Sequence, residues 1–187
     1  MPALTVLLLA PLVLNVPQRR LLRSASERAA ALKLSRRIAS LAVIAVITAA
    51  NAASIVLLVH LLVAGAKTDA RLLLRAGIHL WCMNVLVFGL WFWQLDGGGP
   101  IERRLNPDPG TTRDFLFPQQ TSEAEADRRW QPTFIDYLYV SYTNATAFSP
   151  TDSMPLSKWA KMLMLVQSAA SLLLAIMVVA RAVNILK

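Results

Sequence analysis

Three long uncharged runs constrain the fold of this chain more than any other feature of its sequence. They cover residues 38–66, 76–95 and 162–180 and contain 29, 20 and 19 residues. A helix needs roughly 17–25 predominantly apolar residues to cross a hydrocarbon core about 30 Å thick. The sequence therefore predicts an all-α integral membrane protein with three transmembrane helices, because a helix bonds its own backbone polar groups in lipid.

Charge and composition agree with the membrane class. The chain is 56% hydrophobic and 16% charged, with a mean hydropathy of +0.49. Its net charge of +8 does not indicate nucleic-acid binding, because most of the basic residues flank the uncharged runs, as in membrane proteins. The sequence has no nucleophile–base pair, phosphate loop or dinucleotide fingerprint. We therefore predict a protein that is not an enzyme, has no cofactor and binds no nucleic acid.

The chain before the first run divides into two segments. Residues 1–18 are uncharged but contain Pro2, Pro11 and Pro17, and we expect a short or truncated first span there. Residues 19–37 form a basic amphipathic connector, which is typical of a helix lying on anionic lipid. A solvated connector that only fixes the orientation is the alternative. The lipid-binding candidates are Arg19, Arg20, Arg23, Arg36 and Arg37.

The rest of the chain divides into three parts. Residues 38–96 hold the first two runs, and the short link between them predicts an antiparallel transmembrane hairpin. Residues 97–132 contain five prolines, six acids and five arginines, which predicts an extramembrane loop. Within this loop Phe115–Pro118 is expected to form an apolar anchor onto the protein or the membrane interface. Residues 133–187 combine a re-entrant helix with the last span.

Several polar residues lie inside the predicted spans. Asn51 and Asn84 lie at similar depth in an antiparallel hairpin, so we expect them to pair, and such a bond contributes about 0.6 kcal/mol. The last span carries small and polar residues at spacings of three and four, which favours close helix packing. Lining of an aqueous pathway in an oligomer is the alternative. The packing candidates in this span are Gln167, Ser168 and Ser171.

His60 and His79 also lie at equal depth, and Cys82 follows His79 by one helical turn. Two histidines in this arrangement could bind a metal ion or a haem. Against this, both lie near the membrane interface, and neither span contains a further histidine or a carboxylate. The single cysteine also excludes an internal disulfide. The sequence therefore predicts no metal site.

The segment between the polar loop and the last span carries the most functional information. Thr133 and Asp136 form a capping-box pattern that predicts a helix start, and Pro150 predicts where the helical part has ended. A helix of about 14 residues is too short to cross the bilayer. A half-length helix, an extended polar return and a span are typical of a re-entrant segment, since irregular backbone at membrane depth must lie beside protein or water.

Residues 139–152, with the sequence YVSYTNATAFSPTD, resemble the pore loop in the two-span module of potassium-type channels. In this resemblance residues 139–146 match the pore helix, and residues 147–152 stand where the selectivity filter lies. A potassium filter needs glycines for its row of carbonyls, whereas this segment has none and Pro150 fixes its own φ angle. The resemblance implies a pore that is not potassium-selective, lined by Thr143, Asn144, Thr146, Phe148, Ser149, Thr151 and Asp152.

Two functions are compatible with this resemblance. The first is a channel-like protein that conducts monovalent cations as a homo-oligomer, a tetramer by analogy with the channel module. The alternative is a non-conducting membrane interaction or structural protein that binds a partner or anionic lipid. Residues 136–152, together with the downstream RAVNIL at 181–186, also resemble an uncharacterised family of small bacterial multi-pass membrane proteins. That resemblance implies the bacterial inner membrane as the location.

The orientation of the spans can be tested, because the charge distribution and the channel resemblance predict opposite orientations. If the spans alternate, the side that carries the connector and the long loop holds 14 Lys and Arg, and the other side holds 5. The positive-inside rule places the first side in the cytoplasm, whereas the channel resemblance places the C-terminus there. In a Cys82→Ser background, we expect a cysteine in the long loop to be protected from an impermeant maleimide in intact cells, and one at the C-terminus to be labelled. The reverse pattern would favour the channel orientation.

Overall fold

The computed structural model of the chain describes residues 2–65, 69–105, 113–121, 130–146 and 153–185, with side chains described from residue 30 to residue 180 within these ranges, except at residue 70. In chain order, the described residues form α1 (Pro2–Val63), α2 (Ala70–Leu95), α3 (Pro100–Leu105), β1 (Phe115–Leu116), α4 (Phe134–Ala145), β2 (Met154–Pro155) and α5 (Lys158–Ile185). The chain divides into two compact units, residues 1–42 and 43–187. The first unit lies within α1, and the second contains the rest of α1 and all the later elements.

Three helical segments are long and apolar enough to cross a membrane, namely Ala30–Val63, Arg71–Gly98 and Lys158–Ala180. They confirm that the three uncharged runs belong to helices long and apolar enough to span a membrane. The indole Nε1–H of Trp91 on α2 donates a hydrogen bond to Oγ1 of Thr48 on α1 at 2.8 Å. This contact has the register of the antiparallel hairpin expected for the first two spans.

α1 is a single helix from Pro2 to Val63. The sequence instead predicts a short first span over residues 1–18 and a separate connector over residues 19–37, and the structure does not divide the helix there. The physical reason is that neither glycine nor proline occurs between Pro17 and Gly65, so nothing in the connector stops a helix. Membrane entry of residues 1–18 stays a prediction.

The C-terminal end of α2 is a sharp turn built from glycine. After Asp96 the three residues Gly97, Gly98 and Gly99 take φ angles of 54°, 79° and 101°. Such left-handed angles are accessible at low cost to glycine and strained for residues that carry a Cβ. The chain can therefore reverse at once into α3, whose first residue is Pro100, a residue well suited to the first turn of a helix.

α4 is the short helix that the capping pattern predicts. Oδ2 of Asp136 accepts hydrogen bonds from the backbone N–H of Thr133 at 2.7 Å and from its hydroxyl at 2.8 Å. The helix contains 12 residues, so it is about 18 Å long and falls well short of a hydrocarbon core of about 30 Å. The length of α4 agrees with the half-length helix that the sequence predicts, whereas its entry into a membrane stays a prediction.

The polar loop returns to the protein through a small antiparallel ladder. β1 pairs with β2, with Phe115 opposite Pro155, which is a minor addition to the predicted all-α fold. Phe115 and Phe117 are 1% and 5% exposed, so the apolar anchor expected in the loop packs onto the protein. The ladder thereby ties the loop to the segment that immediately precedes α5.

Two glycines bring α2 close to its neighbours. A Cβ built on Gly89 would lie 3.3 Å from the Cα of Leu138 on α4, and one built on Gly77 would lie 2.3 Å from Cγ2 of Val178 on α5. α4 therefore packs directly on the backbone of α2. Close approach through small residues is usual for helices that pack within a membrane.

Gly89→Val should separate α2 from α4, because the added carbons must displace the main chain of Leu138. Overpacking of this kind costs about 1–3 kcal/mol, and we expect a lower midpoint of thermal unfolding in detergent, followed by circular dichroism. Leu86→Val, at an exposed position of the same helix, is the matched control and should leave the midpoint nearly unchanged. Equal losses in the two variants would contradict a tight contact at Gly89.

Candidate functional site

A buried carboxylate lies at the C-terminal end of α2. Asp96 is 0% exposed, and its Oδ1 accepts hydrogen bonds from the backbone N–H groups of Asp114 at 2.6 Å and of Phe115 at 3.2 Å. Its Oδ2 accepts a hydrogen bond from the hydroxyl of Tyr137 on α4. A buried charge is strongly destabilising unless it is bonded in this way. One side chain thus connects α2, the polar loop and α4.

Arg103 on α3 closes the end of α2 beside this carboxylate. Its Nη1 donates hydrogen bonds to the backbone oxygens of Trp93, at 2.9 Å, and of Asp96. Its Cζ lies 5.0 Å from the ring centroid of Tyr137, which is within the range of a cation–π contact. A cation at a helix C-terminus interacts favourably with the last carbonyls of the helix. We name Asp96, Arg103 and Tyr137 the end cluster.

Tyr137 is the aromatic centre of the end cluster. The rings of Phe115 and Phe117 meet it edge to face, with centroids 6.1 and 5.3 Å away, a favoured geometry for aromatic pairs. Burial, and after it the nearby Asp96 carboxylate, raises the pKa of the Tyr137 phenol far above its usual value, although Arg103 acts in the opposite direction. The phenol therefore stays protonated and remains a hydrogen-bond donor to Asp96.

A second buried cluster, the mid-helix network, joins α4 to the two helices beside it; it consists of Asn84, Ser141, Asn144, Gln167, Ser168 and Ser171. Gln167 is its hub and is 0% exposed. Its Nε2 donates to the backbone oxygen of Ser141 at 2.8 Å and to its Oγ at 2.7 Å, and its Oε1 accepts from Nδ2 of Asn144 at 2.8 Å. Both ends of one amide therefore bond to α4.

α2 takes part in the same network from the opposite side. Nδ2 of Asn84 donates to Oγ of Ser171 at 2.8 Å, and Oγ of Ser141 donates to the backbone oxygen of Val85 at 2.6 Å. The hydroxyl of Ser168 donates to Oδ1 of Asn144 at 3.0 Å. α4 is thus held between α2 and α5 by hydrogen bonds among buried polar groups of all three helices.

The structure brings together four of the five residues that the sequence proposes for helix packing, because Asn84, Gln167, Ser168 and Ser171 all bond within the mid-helix network. The fifth, Asn51, is buried on α1, but the predicted Asn51–Asn84 pair does not form. The side-chain amide of Asn84 donates to α5 instead. Equal depth places two residues at one level, whereas the rotation of each helix decides which neighbour they face.

Three of the residues matched to a pore are described. Thr143 and Thr146 donate their hydroxyl hydrogens to carbonyls of α4 itself, at 2.9 Å and 3.0 Å. Asn144 bonds within the mid-helix network and is 8% exposed. The other four lie outside the described residues: Phe148, Ser149, Thr151 and Asp152.

The remaining candidates are exposed where they are described. His60, His79 and Cys82 are all exposed, and the described part of the chain holds no group of three or more His, Cys, Asp or Glu suited to a metal ion. Two of the lipid-binding candidates, Arg36 and Arg37, are exposed on α1. The side chains of the other three, Arg19, Arg20 and Arg23, lie outside the described residues.

Sequence reasoning missed the end cluster and the role of Ser141. Asp96 stood out only as the charge that ends a span, and the groups that bond its carboxylate lie 18, 19 and 41 positions further along the chain. The sequence did contain one signal. A charge followed by three glycines marks the end of a helix, and the last carbonyls of a helix need hydrogen-bond partners from elsewhere. The partners themselves could not be found from local spacing.

Comparison with known proteins gives no match: no protein-family model, curated protein or solved structure is significantly similar to the chain. The resemblances to a pore loop and to a bacterial membrane-protein family therefore stay predictions from the sequence. The geometry of α4 and its partners carries the functional inference.

Tyr137→Phe should destabilise the protein, because it removes a donor from a carboxylate that is fully buried. Hydrogen bonds to charged groups contribute about 1.5–3 kcal/mol, so we expect a clearly lower thermal midpoint in detergent. Tyr139→Phe makes the same change on a residue that is 52% exposed and should have little effect. Equal midpoints for the two variants would mean that the Tyr137–Asp96 bond does not stabilise the fold.

Proposed function

We propose that the protein is a pore-loop membrane protein in which several copies together form a pathway for small cations. The observation that carries the proposal is the course of the chain around α4. Asn144, near the C-terminal end of α4, bonds to Gln167, which lies two residues from the middle of the candidate span 158–180. This bond supports a helix that ends near the middle of the membrane.

The chain then returns to the end from which α4 started. Pro155 pairs with Phe115, whose N–H bonds to Asp96 at the end of α2. The seven residue steps from 146 to 153 can extend over about 23 Å, which exceeds the half thickness of the hydrocarbon core, about 15 Å. A descent as a half-length helix and a return within this distance support a re-entrant loop.

The electrostatics of the segment favour cations. Residues 130–157 contain Asp136 and Asp152 and no lysine or arginine. The C-terminal end of a helix also carries a partial negative charge, and that end of α4 points away from Asp96 and towards the level of Gln167. Broken helices in transporters coordinate cations with such ends.

Several copies are required, because a single loop cannot surround a pathway. The exposed face of α4 carries Ile135 and Tyr139, which are 73% and 52% exposed. Tyr142 is 49% exposed, although its ring contacts Trp81 on α2 edge to face. These side chains are available to pack against a second copy. We expect a tetramer, by analogy with the channel module that the segment resembles, in the bacterial inner membrane.

A second candidate function is a non-conducting structural or interaction protein of the membrane. It is favoured by the mid-helix network, in which Ser141 and Asn144 already bond to groups of their own chain, so that α4 is stable without a water-filled pore. In this case the exposed Arg36 and Arg37 would bind anionic lipid or a partner.

Cation flux into liposomes containing the purified protein, with native mass spectrometry of its oligomeric state, separates the two functions. We expect flux of sodium or potassium ions without potassium selectivity. We also expect Asp152→Asn to reduce it about fivefold or more, since a unit charge 4 Å from an ion is worth about 1 kcal/mol even in water.

Asp69→Asn is the matched control for this change, because Asp69 caps the opposite end of α2 and asparagine caps helices equally well. This variant should conduct like the parent protein. A folded oligomer without flux would contradict the pathway and favour the structural role. A monomer would contradict the proposed pathway altogether.

A further inference from the structure

A cavity of about 580 Å³ lies beside α4, between that helix and the stretches around Phe117 and Ser153. Its walls include Phe117, Tyr139 and Thr143, and Asp136 lies at the edge nearest the helix start. Volumes of about 300–1,000 Å³ are typical of small-molecule sites. The cavity is therefore much larger than a single water or a bare metal ion requires.

An unsatisfied hydroxyl lines this cavity. Ser153 is 5% exposed, and its Oγ has no hydrogen-bond partner within the described part of the chain. A buried polar atom without a partner costs about 1–3 kcal/mol, and native proteins contain few of them. The hydroxyl is placed to bond with a molecule that occupies the cavity.

The other polar groups of the wall include both donors and acceptors, because Gln119 and Tyr139 also line it. The hydroxyl hydrogen of Thr143 is directed to the carbonyls of Tyr139 and Val140, at 2.9 and 3.0 Å, so the free positions on its oxygen are lone pairs. The carboxylate of Asp136 accepts the two bonds from Thr133 at Oδ2. Among the described residues that line the cavity, Asp136 alone carries a full charge. The single charge of the wall therefore favours a positively charged ligand.

The aromatic walls narrow the class of cation. Ring faces attract alkylated ammonium ions, and such contacts contribute about 0.5–2 kcal/mol. The rings of Phe117 and Tyr139 border the same cavity as the Asp136 carboxylate. Combined with the volume, this favours an organic cation over an inorganic one. We propose that this cavity binds an organic ammonium group, with Asp136 as counter-charge and Ser153 as hydrogen-bonding partner.

Two sources could supply this chemistry, a free amine in solution and the amine headgroup of a membrane lipid. Ile135 and Tyr139 on the same wall are 73% and 52% exposed in the single chain, so in one copy of the protein the site is accessible from outside α4. Ammonium binding here does not require that the protein conducts ions.

Calorimetric titration of the detergent-solubilised protein with ethanolamine tests the proposal. Ethylene glycol, which has nearly the same size but no charge, is the matched control ligand. We expect saturable binding of ethanolamine and none of ethylene glycol. Equal heats for the two ligands would show that the cavity holds solvent only and would overturn the proposal.

Two substitutions locate the site. Ser153→Ala should weaken ethanolamine binding about three- to tenfold, the effect of one hydrogen bond, without lowering the thermal midpoint of the ligand-free protein, because the lost hydroxyl has no partner there. Asp136→Asn should weaken binding about tenfold or more, since bonds to charged groups are the stronger ones. Unchanged affinity in both variants would overturn the assignment.

Asp136 also belongs to the capping box of α4, so its variant needs a control for folding. Thr133→Ala breaks the same capping box without removing a residue of the cavity wall, and it should lower the thermal midpoint while leaving the affinity for ethanolamine nearly unchanged. If Thr133→Ala weakened binding as much as Asp136→Asn, the charge would not be the cause and the proposed role of Asp136 would be wrong.

Lipid nanodiscs distinguish the two sources. If the headgroup is the ligand, phosphatidylethanolamine should raise the thermal midpoint above that in phosphatidylglycerol, and Ser153→Ala should reduce the difference. If a free amine is the ligand, ethanolamine should raise the midpoint equally in both lipids. If neither phosphatidylethanolamine nor ethanolamine raised the midpoint, ammonium binding in the membrane would be contradicted.

Discussion

The buried carboxylate of Asp96 is the interaction on which the arrangement of the C-terminal half depends. A charge at the end of an apolar helix is normally left in water, yet here it is fully enclosed and therefore needs several donors. Two backbone N–H groups of the polar loop and the phenol of Tyr137 supply them. The carboxylate thus fixes the loop and the start of α4 on the end of α2.

The polar groups of the bundle fall into two levels with different tasks. The end cluster uses charge and aromatic contacts where α2, the loop and α4 meet. The mid-helix network uses neutral amides and hydroxyls, with Gln167 bonding to both Ser141 and Asn144. Neutral groups at the deeper level are physically reasonable, because a charge there would be far more costly to bury than an amide. Together the two levels fix α4 at both of its ends.

Local patterns in the sequence predict the parts of this architecture that depend on neighbouring residues. The three spans follow from uncharged runs, and the start of α4 follows from Thr133 and Asp136, which are three positions apart. The contacts of the site do not follow, because Asn84 and Ser171 are 87 positions apart and their pairing depends on how α2 and α5 are rotated about their axes. For the same reason, the prediction from depth alone paired Asn84 with α1, whereas its partner lies on α5. The loop residues that bond to Asp96 could not be predicted from the sequence either.

The mid-helix network also has a consequence for the order in which the protein is assembled. Ser141 and Asn144 are synthesised before Gln167, which follows them by 26 and 23 residues. Until α5 has been synthesised, Gln167 is not present to bond to Ser141 and Asn144. The short helix can therefore complete these hydrogen bonds only after the last long helix has been synthesised.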